Sequence, residues 1–372
     1  MAGDTPGAGS APRGASHAVP PLSELTTLRV GGSPRAIIAV DSFEQAVQAL
    51  ADLDDAGTAY WPLGGGSNLV VADEGVDAAV VWMRNSRVDV LDEADGAVAV
   101  SVGAGANWDA FVSTCVTNGW SGVEALSGIP GTVGATPIQN VGAYGAQVCD
   151  VITEVEVWDR RKRAVTTFSA QACGFAYRDS MFKRERMADG SPALVVLAVT
   201  FALACSPLSA PLRYAELARA LGAEIGDSLD SAAVRSAVLA LRAAKGMVLD
   251  DADHDTWSVG SFFTNPVVAR SIADALPPEA PRWPHDAAQP EDGQGRVKLS
   301  AAWLVEHSGF PKGYSLPGSA AALSSKHALA ITNRGGATAT EVAQLARVIR
   351  DGVVATFGVS LEAEPVLLGV TL

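Results

Sequence analysis

Residues 127–145 read SGIPGTVGATPIQNVGAYG, a stretch too rich in glycine and proline for a helix interior and too apolar between its glycines for a solvated linker. Glycine has no Cβ and tolerates positive φ, so the main chain here can approach another group closely. A row of free main-chain N–H groups forms a concavity that binds anions such as a diphosphate. A set of tight turns in a β-rich domain is the alternative, and this stretch alone leaves both interpretations open.

The length, the net charge and the N-terminal sequence limit what kind of protein this chain can form. A chain of 372 residues is expected to form two or three domains. The net charge of −14 argues against nucleic acid or an anionic membrane as the main partner, because both need a basic face. Residues 1–20 lack an apolar segment, which predicts a disordered tail and no signal peptide. The longest apolar run, residues 193–205, is too short to span a bilayer, so we expect a cytoplasmic protein.

The cysteines and histidines do not suggest a metal site. No CxxC pair is present, and the five histidines, at positions 17, 254, 285, 307 and 327, stand far apart. Sequence motifs for metal binding need closely spaced ligands. We therefore predict no bound metal, with free thiols at Cys115, Cys149, Cys173 and Cys205.

The N-terminal part predicts a βαβ unit with a glycine turn, Gly64-Gly65-Gly66-Ser67-Asn68, that is similar to a phosphate cradle. A dinucleotide fingerprint GxGxxG fails twice, because Leu69 and Trp108 stand where the third glycine is needed, so a Rossmann domain is disfavoured. The predicted elements are a strand at 36–40, a helix from Ser42 to Asp55 opened by a capping box with Gln45, and strands at 60–63 and 69–71.

The pattern changes from β-rich to helical near 205–210, where we predict a domain boundary. Before it we expect a strand at 97–102, a helix at 107–118, a hairpin of 151–158 with 164–168, and a buried strand at 193–203. After it we expect helices at 214–221, 231–244 capped by Asp230, 300–307 and 340–357, a loop at 276–292 and a terminal strand at 359–370.

Three short stretches carry candidate catalytic groups. Arg178, in YRDSMFK at 177–183, can fork to a carboxylate or stabilise developing negative charge; a surface ion pair with Asp179 is the alternative. Ser261 lies in VGSFFTNP at 259–266, a stretch without a histidine to activate it as a nucleophile, but it can donate a proton to a carbanion. The alternative there is a helix-capping turn with Phe262 and Phe263 in the core.

The third stretch is LEAEP at 361–365. In a strand, Glu362 and Glu364 point to the same face, where such carboxylates are usually solvated. If Glu364 is instead buried at a site, desolvation raises its pKa and allows it to share or donate a proton.

Taken in order, five stretches resemble the UDP-N-acetylenolpyruvoylglucosamine reductases, flavoenzymes of peptidoglycan precursor synthesis. The stretches are LGGGSNLV at 63–70, IPGTVGATPIQNVGAYG at 129–145, YRDSMFK at 177–183, GSFFTNP at 260–266 and LEAEP at 361–365. The resemblance implies an α+β chain with an FAD-binding fold of the vanillyl-alcohol-oxidase-like (PCMH) type. The implied division is a tail at 1–20, two FAD-binding α+β subdomains at 21–205, a smaller α+β substrate-binding domain at 206–325, and a segment at 326–372 that returns to the FAD-binding region.

The resemblance also implies which residues bind FAD without a covalent bond. Main-chain amides of the two glycine stretches would hold the diphosphate, in agreement with the anion-binding interpretation above. The implied FAD-binding residues are Gly64, Gly65, Gly66, Ser67, Asn68, Ile129, Pro130, Gly131, Thr132, Gly134, Gln139, Asn140, Gly142, Ala143, Tyr144, Gly145 and Arg178.

The implied reaction is NADPH-dependent reduction of UDP-N-acetylglucosamine enolpyruvate to UDP-N-acetylmuramate, with a hydride passing from reduced flavin to C3. Arg178 and Glu364 would stabilise the enolate-like charge, and Ser261 would deliver the proton to C2. The resemblance places Tyr214, Lys245 and Asn265 at the UDP moiety. Besides the substrate and NADPH, we expect no obligate protein partner.

The sequence departs from the family pattern at three places. Thr264 stands where many relatives carry lysine, and Pro365-Val366 replaces the usual valine-arginine pair. The segment between Lys245 and Ser261 is also longer than in some members.

Two other functions compete with the reductase. An FAD-dependent oxidase of the same broad fold often tethers FAD to histidine or cysteine, and only Cys149 is placed for that. A non-catalytic protein that binds nucleotide sugars would be colourless and would not need Ser261.

Overall fold

A computed structural model describes residues 19–285 and 295–372. The predicted tail and much of the predicted loop at 276–292 lie outside the described residues. The strands are β1 (Pro34–Val40), β2 (Tyr60–Leu63), β3 (Leu69–Val71), β4 (Val76–Met83), β5 (Val88–Ala94), β6 (Ala97–Gly103), β7 (Trp120–Ser121), β8 (Gly142–Ala143), β9 (Ala146–Gln147), β10 (Ile152–Asp159), β11 (Ala164–Ser169), β12 (Leu194–Cys205), β13 (Val267–Ala269), β14 (Arg282–His285), β15 (Arg296–Leu299), β16 (Ala321–Leu323), β17 (Ile331–Asn333) and β18 (Val366–Leu368). The helices are α1 (Phe43–Asp55), α2 (Trp108–Thr117), α3 (Met181–Arg184), α4 (Ala215–Leu221), α5 (Ser231–Ala244), α6 (Arg270–Asp274), α7 (Ala301–His307) and α8 (Ala339–Phe357).

Two sheets form the part of the fold before residue 206. The predicted βαβ unit is present: β1 and β2 both pair in parallel with β4, and α1 connects them. The larger sheet has the antiparallel order β11-β10-β12-β6-β5. Strand β12 is nearly all apolar because it lies inside this sheet and under α2, where Phe111 packs 5.1 Å from Phe201 between ring centroids.

A buried ionic network joins the two sheets. The carboxylate of Asp54, at the end of α1, accepts hydrogen bonds from Trp158 Nε1 at 2.7 Å and Arg160 Nε at 3.0 Å. The hydroxyl of Tyr60 donates to the same carboxylate at 3.1 Å, and the Arg160 guanidinium lies 3.9 Å from the centre of the Tyr60 ring. The side chains of Asp54 and Arg160 are at most 7% exposed, so the charge of each is compensated mainly by the other.

The rest of the chain packs around two further cores. Helices α4 and α5 enclose a small cluster that includes Leu217, Val234 and Val238. Residues from Val259 to Leu361 share a second core with Leu28, Val30 and Val70 of the N-terminal part. Strand β18 pairs in parallel with β3, which returns the C-terminal segment to the first part of the chain. The domain boundaries themselves stay predictions.

Most helix boundaries were predicted within a residue, but two other predictions were wrong. The terminal strand covers only Val366–Leu368, since residues 361–364 pair locally with the 262–264 turn and Pro365 has no N–H to extend a ladder. Residues 282–285, predicted as loop, form β14 against β15. Of the helices in 19–285 and 295–372, none is both long and apolar enough to cross a membrane.

The buried network predicts that removing one of its charges strongly lowers the stability of the protein. Asp54→Asn keeps the shape of the side chain but leaves the Arg160 charge without compensation, so we expect a loss of about 3–5 kcal/mol in the free energy of unfolding. Urea unfolding followed by tryptophan fluorescence measures this. Asp55→Asn is the control, since Asp55 forms an exposed pair with Arg163 and its loss should change little. Equal unfolding midpoints for the two variants would contradict the network.

Candidate active site

The glycine turn after β2 and the stretch 129–142 line one cavity of about 340 Å³. Segments distant in sequence complete its wall, since parts of 242–261 and the C-terminal segment 364–368 also line it. Of the predicted site residues, the cavity is lined by Gly64, Gly65, Gly66, Ser67, Asn68, Ile129, Pro130, Thr132, Gln139, Gly142, Arg178, Ser261 and Glu364.

The two glycine stretches touch main chain to main chain. A Cβ on Gly65 would lie 2.7 Å from the Cα of Gly131, and a Cβ on Gly64 would lie 2.3 Å from Thr132 Oγ1. Gly131 also has a φ of +116°, which side chains rarely adopt. Only glycine therefore permits this crossing.

The same crossing leaves main-chain donors unused. Within the described residues, the N–H groups of Gly65, Gly66, Ser67 and Asn68 donate to no protein oxygen. The cavity contains these four consecutive residues. Consecutive free N–H groups are the arrangement that binds phosphate groups, so the residues present fit the diphosphate of a dinucleotide.

Arg178 and Glu364 form an ion pair in the cavity wall. Arg178 Nε lies 3.0 Å from Glu364 Oε1, and Arg178 Nη2 donates to the Gly142 carbonyl at 3.2 Å. Asp179 pairs with Arg184 instead, so the alternative pairing of Arg178 with Asp179 is not formed. Arg178 has a φ of +54°, a left-handed conformation that costs energy in a non-glycine residue.

The surroundings of Glu364 favour the protonated form of its carboxyl group. Burial raises the pKa of its carboxyl group, and the Arg178 and Lys183 charges oppose that rise. Glu362 is exposed. The two carboxylates therefore face different surroundings, and Glu364 is the one in the cavity.

A short antiparallel pairing brings Ser261 to this carboxylate. Glu364 N–H donates to the Phe262 carbonyl at 2.8 Å, and Thr264 N–H donates to the Glu362 carbonyl at 3.0 Å. Ser261 lines the cavity, and its hydroxyl makes no hydrogen bond to the described residues. Phe262 and Phe263 lie in the protein core, as the alternative interpretation of this turn expected.

Six predicted FAD-binding residues do not line the cavity: Gly131, Gly134, Asn140, Ala143, Tyr144 and Gly145. Gly134 lies where a Cβ would meet Ala104 at 2.4 Å, which is a packing constraint. The Asn140 amide donates to Gln147 and Ala176 and accepts from the Cys149 N–H, so it fixes the local loops.

The predicted substrate residues divide into two groups outside the cavity wall. The Tyr214 ring meets the Tyr144 ring edge-on at 5.7 Å between centroids, and Lys245 Nζ lies 5.9 Å from the Tyr144 centroid. Lys245 also donates to Glu216 at 2.7 Å. Asn265 Oδ1 accepts from the Ala301 N–H at 2.9 Å, at the start of α7.

Sequence reasoning missed two arginines that line the cavity, Arg186 and Arg242. The sequence did not mark Arg242 as a site residue, because an arginine in the last turn of a helix ordinarily interacts with the helix end. No histidine or cysteine of the described segments lines the cavity. Cys149, the one candidate tether of the competing oxidase, therefore lies outside it.

Comparison with known proteins agrees with this geometry. A family model described as "FAD binding domain" matches residues 34–167, and one described as "UDP-N-acetylenolpyruvoylglucosamine reductase, C-terminal domain" matches 251–368. A crystal structure of a UDP-N-acetylenolpyruvylglucosamine reductase from Thermus caldophilus superposes with a TM-score of 0.60 at 24% identity, covering 93% of this chain and 97% of its own. The predicted fold class, an α+β chain with an FAD-binding domain, is confirmed.

Curated relatives match over nearly their full length. The UDP-N-acetylenolpyruvoylglucosamine reductase of Thermobifida fusca is 49% identical, with 95% of this chain and 98% of the relative covered. That of Mycobacterium tuberculosis is 52% identical, with 95% of each covered. With the FAD-binding fold and the cavity described above, these matches show that the chain belongs to the UDP-N-acetylenolpyruvoylglucosamine reductase family of FAD-dependent oxidoreductases.

Proposed function

We propose that this chain reduces UDP-N-acetylglucosamine enolpyruvate to UDP-N-acetylmuramate with NADPH as reductant. The observation that carries the proposal is the cavity itself, in which the Arg178–Glu364 pair and the free Ser261 hydroxyl share a wall with the unused N–H groups of the glycine turn. The acid Glu364, the cation Arg178 and the proton donor Ser261 thus lie in one cavity with a phosphate cradle. The reaction needs all four.

The glycine turns and two side chains divide the binding of FAD between them. The N–H groups of residues 65–68 would donate hydrogen bonds to the diphosphate oxygens, and Gln139 and Arg178 would contact the ring system. Gln139 Oε1 is buried and has no hydrogen-bond partner in the described residues, although Gln139 Nε2 donates to the Glu364 carbonyl at 2.9 Å. A donor on the ligand would satisfy that oxygen, since a buried acceptor left unpaired costs about 1–3 kcal/mol.

The chemistry of the substrate determines the roles of the three side chains. When bound, reduced flavin supplies the hydride that adds to C3 of the enolpyruvyl group. The electron pair of the double bond then moves toward the substrate carboxylate, where Arg178 and protonated Glu364 stabilise the negative charge. Ser261 donates its proton to C2 and is reprotonated from solvent, so that one hydride and one proton complete the reduction.

The remaining partners follow from the same reaction. Tyr214, Lys245 and Asn265 would bind the UDP moiety from the rim of the cavity, with Lys245 as a point charge for the diphosphate. NADPH would reduce the flavin before the substrate binds. A reaction of peptidoglycan precursor synthesis places the enzyme in the cytoplasm.

The decisive experiment separates the two half-reactions. We expect a yellow protein that bleaches with NADPH under anaerobic conditions and recolours when UDP-N-acetylglucosamine enolpyruvate is added. Ser261→Ala should leave bleaching unchanged and slow recolouring by about a hundredfold or more, because only the second step needs its proton.

The control for that variant is Ser236→Ala, on the exposed face of α5, which should behave as the unaltered chain. A colourless protein that binds UDP sugars but not FAD would support the non-catalytic alternative. A flavoprotein that reacts rapidly with oxygen and not with the enolpyruvyl substrate would support the oxidase.

The crossing of the glycine stretches predicts a steric effect on cofactor binding. Gly65→Ala places a Cβ against the Gly131 main chain, so we expect the crossing to open and the flavin to be lost on gel filtration. Gly295→Ala is the control, because its Cβ would meet none of the described residues within 4 Å and its φ lies outside the left-handed region. The ratio of visible to ultraviolet absorbance measures retention, and full retention in Gly65→Ala would show that the crossing does not form the cofactor wall.

The environment of Glu364 predicts a pH dependence. If the protonated carboxyl group is required, recolouring slows as pH rises through the pKa of Glu364. Lys183 lowers that pKa, so Lys183→Met should raise it and move the falling limb of the profile to higher pH. Stopped-flow rates across pH measure the limb, with Lys162→Met as control, because the Lys162 side chain is exposed. A shift to lower pH would contradict this role.

A further inference from the structure

The cavity is positively charged inside an acidic protein. Of the described residues that line it, three are arginines, Arg178, Arg186 and Arg242, and Glu364 is the one carboxylate. Glu364 pairs with Arg178. Arg186 and Arg242 have no carboxylate within 4 Å in the described part of the chain. An anionic ligand would compensate this charge.

Arg242 is the arginine of the cavity that has both an unpaired hydrogen-bond donor and no counter-charge in the described part of the chain. It lies in the last turn of α5, and its Nη2 donates to the Met247 carbonyl at 2.8 Å. Its Nε is buried and has no hydrogen-bond partner among residues 19–285 and 295–372. The nearby carboxylate of Asp109 is already engaged by both Nη atoms of Arg235, at 2.6 and 2.8 Å, and by the Gly128 N–H.

A buried guanidinium without a counter-charge is costly, and burial lowers the pKa of Arg242 accordingly. Other cations add to the charge nearby, since the pKa of the half-buried His327 is lowered first by desolvation and then by the charges of Lys245, Lys312 and Arg242. Arginine presents a planar fork of donors that matches phosphate oxygens. The unmatched charge and the free Nε therefore fit a phosphate ligand better than a structural role.

We propose that Arg242 is a diphosphate-binding residue of the cavity, contributed by the segment predicted to bind substrate. The proposal rests on the proposed function, in which both FAD and the UDP-sugar carry a diphosphate. The geometry relates Arg242 to both. Its Cδ lies 3.5 Å from the Cβ position of Gly128, at the start of the long glycine stretch, and Lys245 follows it by one helical turn.

The test measures binding of two ligands to Arg242→Met, with Arg219→Met as the control for loss of one positive charge on exposed α4. FAD affinity is obtained from the flavin fluorescence released on dilution of the full-length holoprotein. UDP affinity is obtained by titrating the flavin absorbance with excess FAD present.

A rise of about tenfold to a hundredfold in the FAD dissociation constant, with UDP binding unchanged, assigns Arg242 to the cofactor's diphosphate. A rise of the same size for UDP alone assigns it to the substrate's diphosphate. Arg242→Lys, which keeps the charge and loses the fork, should give intermediate values and provides the comparison if Arg242→Met does not fold.

Dissociation constants within twofold of those of Arg219→Met for both ligands would overturn the proposal. That result differs from a failure of the proposed function, in which the unaltered chain itself binds neither FAD nor UDP, and which would overturn both.

Discussion

The close approach of two main chains at Gly65 and Gly131 is the constraint on which the site depends. No side chain fits between them, so the two glycine stretches meet directly, and the N–H groups of residues 65–68 stay free of partners among the described residues. The fold is arranged so that this contact can form: the parallel unit of β1, β2 and β4 carries one stretch, and the segment following α2 carries the other. The cavity is the space that remains beside the crossing.

The side chains that we propose as catalytic reach that space through a different set of contacts. Ser261 and Glu364 belong to distant parts of the sequence, and two main-chain hydrogen bonds between 262–264 and 362–364 fix their relative position. Arg178 adds a strained left-handed backbone that is held by the Lys183 Nζ donating to its carbonyl at 3.0 Å. Strain of this kind persists only where the surroundings determine it, as in a preorganised site.

The sequence predicted the elements well where local physics decides them. Asp230 caps α5 and Ser300 caps α7 as expected, because an N-cap side chain acts on residues two or three positions away. The prediction from sequence failed where contacts between distant parts of the chain determine the structure. A long terminal strand was predicted at 359–370, but residues 361–364 pair with the 262–264 turn. Gly134 packs closely against Ala104 and Asn140 hydrogen-bonds to neighbouring loops, and their predicted contact with FAD stays a prediction. Arg242 could not be recognised at all, because its missing counter-charge is visible only in three dimensions.

The parallel pairing of β18 with β3 has a consequence for how the molecule is made. Synthesis proceeds from the N-terminus, so β3 leaves the ribosome long before its partner, and the second core, which joins Val30 and Val70 to residues near 350, must wait as well. Contacts this distant in sequence are slow to form. Glu364 is synthesised with the segment that pairs with β3, so the nascent chain acquires its proposed acid only when this late pairing forms.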